Sequence, residues 1–135
     1  MKKSFFNFSV ILISALSFTA CKKEKTFEEK IAGEWHSVNV KLNGNDVTGY
    51  FSLDLDLQTD KDFKATLKTT DLFSGNTTTS NPSGEWSAAD GKEIELIYDG
   101  TDESESYDVV EFEGEELSVE TLQNGDKIEI IFERQ

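Results

Sequence analysis

The chain has 135 residues, of which 27 are acidic and 13 are basic, so its formal net charge is −14. This length argues against several domains with separate cores. The negative charge repels phosphates and free anions, which argues against nucleic acid as a partner.

The first 20 residues have the layout of a cleavable export signal. Lys2 and Lys3 give a positive start, and a mostly apolar stretch from Phe5 to Ala20 leads to Cys21. A membrane-spanning helix needs about 20 apolar residues, whereas this stretch is shorter and carries scattered polar residues. We therefore predict a signal peptide over residues 1–20 rather than an uncleaved anchor helix.

The segment from Leu16 to Cys21 resembles the lipobox of bacterial lipoproteins. Cys21 is the only cysteine, so it cannot form an internal disulfide. The resemblance implies that its thiol carries diacylglycerol and that the new amino terminus is acylated, for example with palmitate. Two or more acyl chains anchor a protein stably. The alternative is an idle free thiol.

Residues 21–26 then form a lipidated tether, and residues 27–135 form one folded domain. Acidic residues after the cysteine resemble a surface-export signal in some lipoproteins of Bacteroidetes-type bacteria, but Lys22, Lys23 and Lys25 make this tether basic. We predict attachment to the cell envelope, at the outer membrane, on the periplasmic side rather than the cell surface. Cleavage after Ala20 would leave 11 basic and 27 acidic residues.

The folded part begins with a short predicted helix. Thr26 to Glu29 matches a capping box, so we expect a helix from Phe27 to Ala32 that ends near Gly33. After it, apolar residues alternate with polar ones, as in strands buried on one face. About eight strands are expected, and their apolar positions are Val38, Val40 and Leu42; Phe51, Leu53, Leu55 and Leu57; Phe63, Ala65 and Leu67; Trp86; Ile94, Leu96 and Tyr98; Tyr107 and Val109, or Val110 and Phe112; Leu117 and Val119; Ile128, Ile130 and Phe132.

Short turn sequences separate these strands, including Asn43-Gly44 and Asn124-Gly125. Short turns join neighbouring strands antiparallel, so we predict an all-β up-and-down barrel, with an antiparallel β-sandwich as the alternative. The low-complexity segment from Ser74 to Gly84 is interpreted as one long loop.

Gly33-Glu34-Trp35, which follows the short helix and opens the first strand, is similar to the signature of the lipocalin superfamily. Asn43 to Thr48 and Gly84 to Ser87 also resemble small lipocalin-like lipoproteins of Bacteroidetes-type bacteria. The resemblance implies an eight-stranded antiparallel barrel with the N-terminal helix closing one end. It also implies that Arg134 packs over Trp35 at that end, as a structural contact; the alternative is a frayed terminal arginine.

The residues for familiar chemistry are missing from the sequence. His36 is the only histidine, which argues against Ser-His-Asp or Cys-His catalysis and against a zinc or iron site. The acidic clusters from Asp99 to Asp108 and from Glu111 to Glu116 do not match an EF-hand loop, and no phosphate-binding glycine motif is present. We predict no enzyme activity, no metal and no cofactor.

The leading functional hypothesis is a membrane-anchored, non-catalytic barrel that binds a small hydrophobic ligand opposite Trp35. The ligand-binding candidates are inward aromatic residues: Phe51, Phe63, Trp86, Tyr98 and Tyr107. The alternative is that these residues simply fill the core, because an eight-stranded barrel can be packed or can hold one ligand. A different functional hypothesis is a cell-envelope interaction module that binds a partner protein or glycan through its acidic rim and residues 74–84.

Overall fold

The computed structural model of the protein describes residues 23–135. The predicted signal peptide over residues 1–20 and the predicted lipid attachment at Cys21 lie outside these residues. No helix within residues 23–135 has the length and apolar character needed to span a membrane.

One short helix, α1, spans Phe27–Ile31. The capping box is confirmed, because the Thr26 hydroxyl accepts a hydrogen bond from the Glu29 amide at 3.2 Å. In return, the Glu29 carboxylate accepts one from the Thr26 amide at 2.9 Å. The helix ends one residue earlier than predicted, with Ala32 as its C-cap.

Ten strands follow the helix, and each is antiparallel to its neighbours. They are β1 Gly33–Leu42, β2 Asn45–Asp46, β3 Phe51–Leu57, β4 Asp62–Thr70, β5 Thr77–Ser80, β6 Ser83–Ser87, β7 Glu93–Tyr98, β8 Ser104–Glu113, β9 Glu116–Gln123 and β10 Asp126–Arg134.

Eight of these strands form a closed barrel. Strand β1 pairs with β3 on one side and with β10 on the other, so the sheet has no free edge at its ends. The remaining two strands are additions: β2 pairs with β1, and β5 pairs with β4. The predicted up-and-down barrel is confirmed, and the β-sandwich alternative is wrong.

The predicted long loop from Ser74 to Gly84 is wrong. Residues Thr77–Ser80 form β5, which pairs with Leu67–Thr70 of β4, and β6 begins at Ser83. Three of the four residues of β5 are threonines, which favour strands, so the segment forms a strand despite its low sequence complexity. Pro82 separates β5 from β6 because it has no amide hydrogen, yet its carbonyl still accepts a hydrogen bond from Ala65 at 2.9 Å.

A β-bulge in β1 changes which residues face inward. The register with β10 shifts between Ser37 and Asn39, so Trp35, Ser37 and Val40 are buried. Val38 is 38% exposed, so the prediction that it shares the inner face with Val40 is wrong. Leu42 stays on the face of Val40, opposite Ile128, but is exposed because it is the last residue of the strand. The buried Ser37 hydroxyl is satisfied, because it accepts a hydrogen bond from the Leu53 amide at 2.9 Å.

A second bulge, in β8, explains why its alternation was ambiguous. The register with β9 shifts between Val109 and Glu111. Tyr107 and Val109 pack against the core before the bulge, and Phe112 packs against it after the bulge. Val110, which is 62% exposed, and Glu111 both lie outside, because the extra residue delays the return to the inner face until Phe112.

Candidate functional site

The barrel has two ends that are filled differently. Strand β1 starts and strand β10 stops at one end, where Trp35 pairs in register with Arg134; we call this the Trp35 end. Because neighbouring strands are antiparallel, β7 stops and β8 starts at the opposite end, which we call the Tyr98 end.

The Trp35 end is filled by aromatic side chains and by α1. Ile31 and Trp35 are fully buried there, and the Trp35 indole donates a hydrogen bond to the Ile31 carbonyl at 2.8 Å. The Phe112 ring meets Trp35 and Phe27 edge to face, at centroid distances of 6.3 Å and 5.6 Å. These contacts leave α1 packed against the barrel.

Arg134 lies over the Trp35 ring, with its guanidinium carbon 4.3 Å from the ring centroid. The same guanidinium donates hydrogen bonds to the carbonyls of Ala32 at 2.9 Å and Lys30 at 2.7 Å. Gly33 makes this approach possible, because a Cβ there would come within 2.7 Å of the Arg134 Nη1 atom and its φ is +134°. The three residues of the predicted signature therefore lie together.

A cavity of about 120 Å³ lies inside the barrel towards the Tyr98 end. Phe51 at the start of β3, Tyr98 at the end of β7 and Gln123 at the end of β9 all contribute to its wall. The wall is mostly aromatic and aliphatic, and it also includes Phe63, Leu67, Tyr107, Ile128 and Ile130. This composition is typical of small-molecule sites.

Four of the five predicted ligand-binding candidates line this cavity: Phe51, Phe63, Tyr98 and Tyr107. Trp86 is buried elsewhere, near the β3–β4 turn, where its indole donates a hydrogen bond to the Gln58 carbonyl at 2.9 Å. The Lys61 ammonium lies 4.8 Å from the centroid of the Trp86 ring. Trp86 is therefore outside the cavity because its strand carries it towards the Trp35 end.

Glu105 is the cavity residue that the sequence interpretation missed. Its place in the acidic cluster from Asp99 to Asp108 predicts a solvated side chain, but it lies on the inner face of β8, two residues before Tyr107. The hydroxyls of Tyr98 and Tyr107 each donate a hydrogen bond to its Oε2 atom at 2.7 Å. The period-two spacing from Tyr107 was the available signal.

Burial and the Glu105 carboxylate act in the same direction on the two phenols. Burial away from solvent is the main cause, and the hydrogen bond to Glu105 is the second; both raise the pKa of Tyr98 and of Tyr107 above the ordinary value of 10.0. Both hydroxyls therefore remain protonated donors across the neutral range.

The single histidine is on the outer surface. The His36 ring contacts the Asp54 carboxylate across β1 and β3, and both side chains are partly exposed. Within residues 23–135, no group of three or more histidine, cysteine, aspartate or glutamate side chains is placed to hold a metal ion. The cavity is more enclosed than the other pockets among residues 23–135, and we take it as the candidate site.

The barrel is similar to the crystal structure of a lipocalin-like protein from Bacteroides uniformis, with a TM-score of 0.51, 19% identity, and coverage of 78% of this chain and 99% of that chain. The fold is therefore lipocalin-like. Two structures of bovine odorant binding protein, one with a selenium-containing odorant and one with its natural ligand, have TM-scores of 0.49 and 10% identity; they cover 83% of this chain and 74% and 75% of theirs. No protein-family model and no curated protein matches the chain.

Proposed function

We propose that this chain is a non-catalytic, membrane-anchored lipocalin-like lipoprotein that binds one small, mainly apolar molecule. The observation that carries the proposal is the cavity of about 120 Å³ inside a closed barrel, walled by the rings of Phe51, Phe63, Tyr98 and Tyr107. Burial of apolar surface against these rings supplies the binding free energy, at about 25 cal/mol per Å².

The volume limits the size of the ligand. Pockets for drug-sized molecules measure roughly 300–1,000 Å³, whereas an apolar cavity of about 150 Å³ holds benzene. A cavity of about 120 Å³ therefore suits a molecule of a few non-hydrogen atoms, or one end of a longer molecule that projects from the Tyr98 end.

The anchor and the cavity are at opposite ends in this proposal. Residues 23–26 lead into α1, and α1 packs against the barrel at the Trp35 end. A lipid on Cys21 holds that end near the membrane, so the Tyr98 end faces away from it. The ligand then enters from the aqueous side.

The absence of catalysis is part of the same proposal. The one histidine of the chain is paired with Asp54 on the outer face of the barrel rather than in the cavity. The cavity contributes apolar walls, two phenols and one carboxylate, which suit recognition of a ligand.

A titration with 1-butanol followed by NMR tests the cavity. We expect saturable shifts of Phe51, Tyr98 and Ile128 resonances in the wild type. Ala65 lines the cavity, so Ala65→Leu should fill it and abolish the shifts. Thr66→Leu adds similar bulk at the next position of β4, whose side chain faces away from the cavity, and should bind like the wild type. Equal binding by both variants would contradict the proposal.

A second candidate function is the binding of a partner protein beside β5. Within residues 23–135, β5 pairs with β4 on one side and with no strand on the other, so it offers an edge for strand addition. In the adjoining turn, Leu72 is 65% exposed and Phe73 is 99% exposed. Large apolar side chains in such positions mark interaction surfaces when they lie together.

Capture of a partner from the native cell envelope tests this second function. Leu72→Ser together with Phe73→Ser should abolish it, whereas Val110→Ser, at another exposed apolar residue, should not. Capture that is unaffected by the double substitution would exclude this surface.

A further inference from the structure

The ligand cavity contains a single carboxylate whose environment is unusual. Glu105 lines the wall beside Phe51, Leu67 and Ile128, and it is the one formally charged residue among the described residues that do so. None of the described residues that line the cavity is an arginine or a lysine, so no cationic side chain shares the cavity wall with the partly buried Glu105 carboxylate. A partly buried carboxylate in a mainly apolar wall, with no cationic partner there, attracts a cation.

The two tyrosines use only one side of this carboxylate. Tyr98 and Tyr107 both donate to Oε2, each at 2.7 Å, and within residues 23–135 no side chain donates to Oε1. Because both hydroxyls remain protonated, they hold the carboxylate in place as donors. The Oε1 atom is therefore available to a further donor that enters the cavity.

The charge and the rings favour the same class of ligand. Glu105 and the net charge of −14 oppose a carboxylate or phosphate ligand. An ammonium group would gain a charge-assisted hydrogen bond at Oε1 and would lie near the faces of aromatic rings, which also attract cations. Gln123, in the same wall, adds an amide that can accept a further N–H.

We propose that the cavity selects small apolar molecules with a protonated amine, whose N–H donates to Glu105 while the hydrocarbon part packs against Phe51, Phe63 and Ile128. This inference rests on the proposed ligand-binding function and specifies its ligand class. It separates this cavity from a site for fatty acids, whose headgroup carries the opposite charge.

Three molecules of matched size test the selection at neutral pH: n-butylamine, 1-butanol and butyrate. Five or six non-hydrogen atoms give weak binding, so dissociation constants are measured by NMR titration. We expect butylamine to bind at least about tenfold more tightly than butanol, because a hydrogen bond to a charged group is stronger than one between neutral groups. Butyrate should give no saturable shifts.

Two single substitutions place the selection on Glu105. Glu105→Gln should bring butylamine and butanol within about threefold of each other, because the charge is lost while the shape is kept. Glu103→Gln removes the same charge from an exposed residue that does not line the cavity, so it should keep the wild-type preference. Loss of the preference in Glu103→Gln, or its persistence in Glu105→Gln, would overturn the assignment to Glu105.

The wild-type comparison is decisive even if Glu105→Gln fails to fold. Equal binding of butylamine and butanol would show that Glu105 only holds the two tyrosines, which overturns the amine selection and leaves the proposed ligand binding intact. Absence of binding by both molecules would overturn the selection and the proposed function together.

Discussion

Arg134 connects parts of the molecule that are about a hundred residues apart in the chain. Its guanidinium lies over the Trp35 indole and donates to the carbonyls of Lys30 and Ala32 at the end of α1, while its Nε donates to the Gly114 carbonyl at 3.2 Å. The five N–H groups of an arginine in fixed geometry suit this arrangement better than a lysine ammonium.

A double-mutant cycle measures the contact between Trp35 and Arg134. Trp35→Ala alone should lower the free energy of unfolding by roughly 3–5 kcal/mol, because a fully buried ring is lost. The cycle with Arg134→Ala should give a coupling energy of about 0.5–2 kcal/mol. Arg134→Lys keeps the positive charge but loses the planar guanidinium and its several N–H donors, so it should recover only part of this coupling energy. A coupling near zero would contradict a stabilising contact.

Alkaline pH should destabilise the fold through Tyr98 and Tyr107. Their pKa values are raised in the folded state, whereas an unfolded tyrosine titrates near pH 10. Above about pH 10 the unfolded chain therefore binds fewer protons than the folded chain, so the free energy of unfolding falls as the pH rises. Urea denaturation between pH 8 and pH 11 measures this slope.

The variant with both Tyr98→Phe and Tyr107→Phe provides the control for the alkaline slope. It should be less stable at neutral pH, because Glu105 loses both donors. Its stability should also fall less steeply above pH 10. The same slope in this variant and in the wild type would show that other groups cause the alkaline loss.

Single residues were predictable where the sequence carries a local pattern. Phe51, Phe63, Tyr98 and Tyr107 follow period-two spacing, and they line the cavity. Glu105 follows the same spacing but was not predicted, because an acidic residue beside an acidic turn is normally solvated. The inward position of Glu105 is explained by the hydrogen bonds that it accepts from Tyr98 of β7 and Tyr107 of β8.

At the level of strands, the two β-bulges set the limit of prediction. A strict period of two assigned Val38 to the inner face with Val40, but the bulge after Ser37 turns Val38 outward. The bulge after Val109 leaves both Val110 and Glu111 outside, so that Phe112 faces inward. A bulge has no strong sequence signature, since it depends on pairing with a partner strand that is distant in the chain.

Gly84 tests the close packing of β6 against β7. A Cβ at this position would come 1.9 Å from the Ile97 carbonyl oxygen and 3.0 Å from the Phe63 ring. Gly84→Ala should therefore destabilise the protein by about 1–3 kcal/mol or more, because the backbone of β7 must move. Urea denaturation measures the change.

Gly49→Ala is the matched control for Gly84→Ala. An added Cβ at Gly49 meets nothing within 4 Å, and the φ of Gly49 is not in the left-handed region. Its effect on the free energy of unfolding should stay within about 1 kcal/mol. Similar losses in the two variants would show that the contact between β6 and β7 is not responsible.

At the level of the whole molecule, the topology followed from the sequence and the cavity did not. Short turns join neighbouring strands antiparallel, and one short helix cannot supply the crossovers of a parallel sheet, so the sequence predicts an antiparallel meander. Strand β1 closes this meander into a barrel by pairing with β10. The interior volume depends on how some fourteen side chains from different strands meet, which includes the bulges that redirect them. The spacing of apolar residues in the sequence therefore could not show whether the interior is fully packed or holds a ligand cavity.

The predicted anchor is tested by labelling cells with a palmitate analogue. The full chain should incorporate the label and fractionate with membranes, whereas Cys21→Ser should do neither, because the thiol that receives the lipid is gone. Lys22→Ser, at the next position, should behave like the wild type. Labelling of Cys21→Ser at the wild-type level would contradict the anchor.

The proposed ligand binding is tested most directly by native mass spectrometry of the protein purified from its own host. We predict that a stoichiometric small molecule accompanies the wild-type chain and is lost on unfolding, and that Ala65→Leu, purified in the same way, is free of it. A wild-type protein that is consistently free of any bound molecule, with an interior that a crystal structure shows to be packed and dry, would contradict the account.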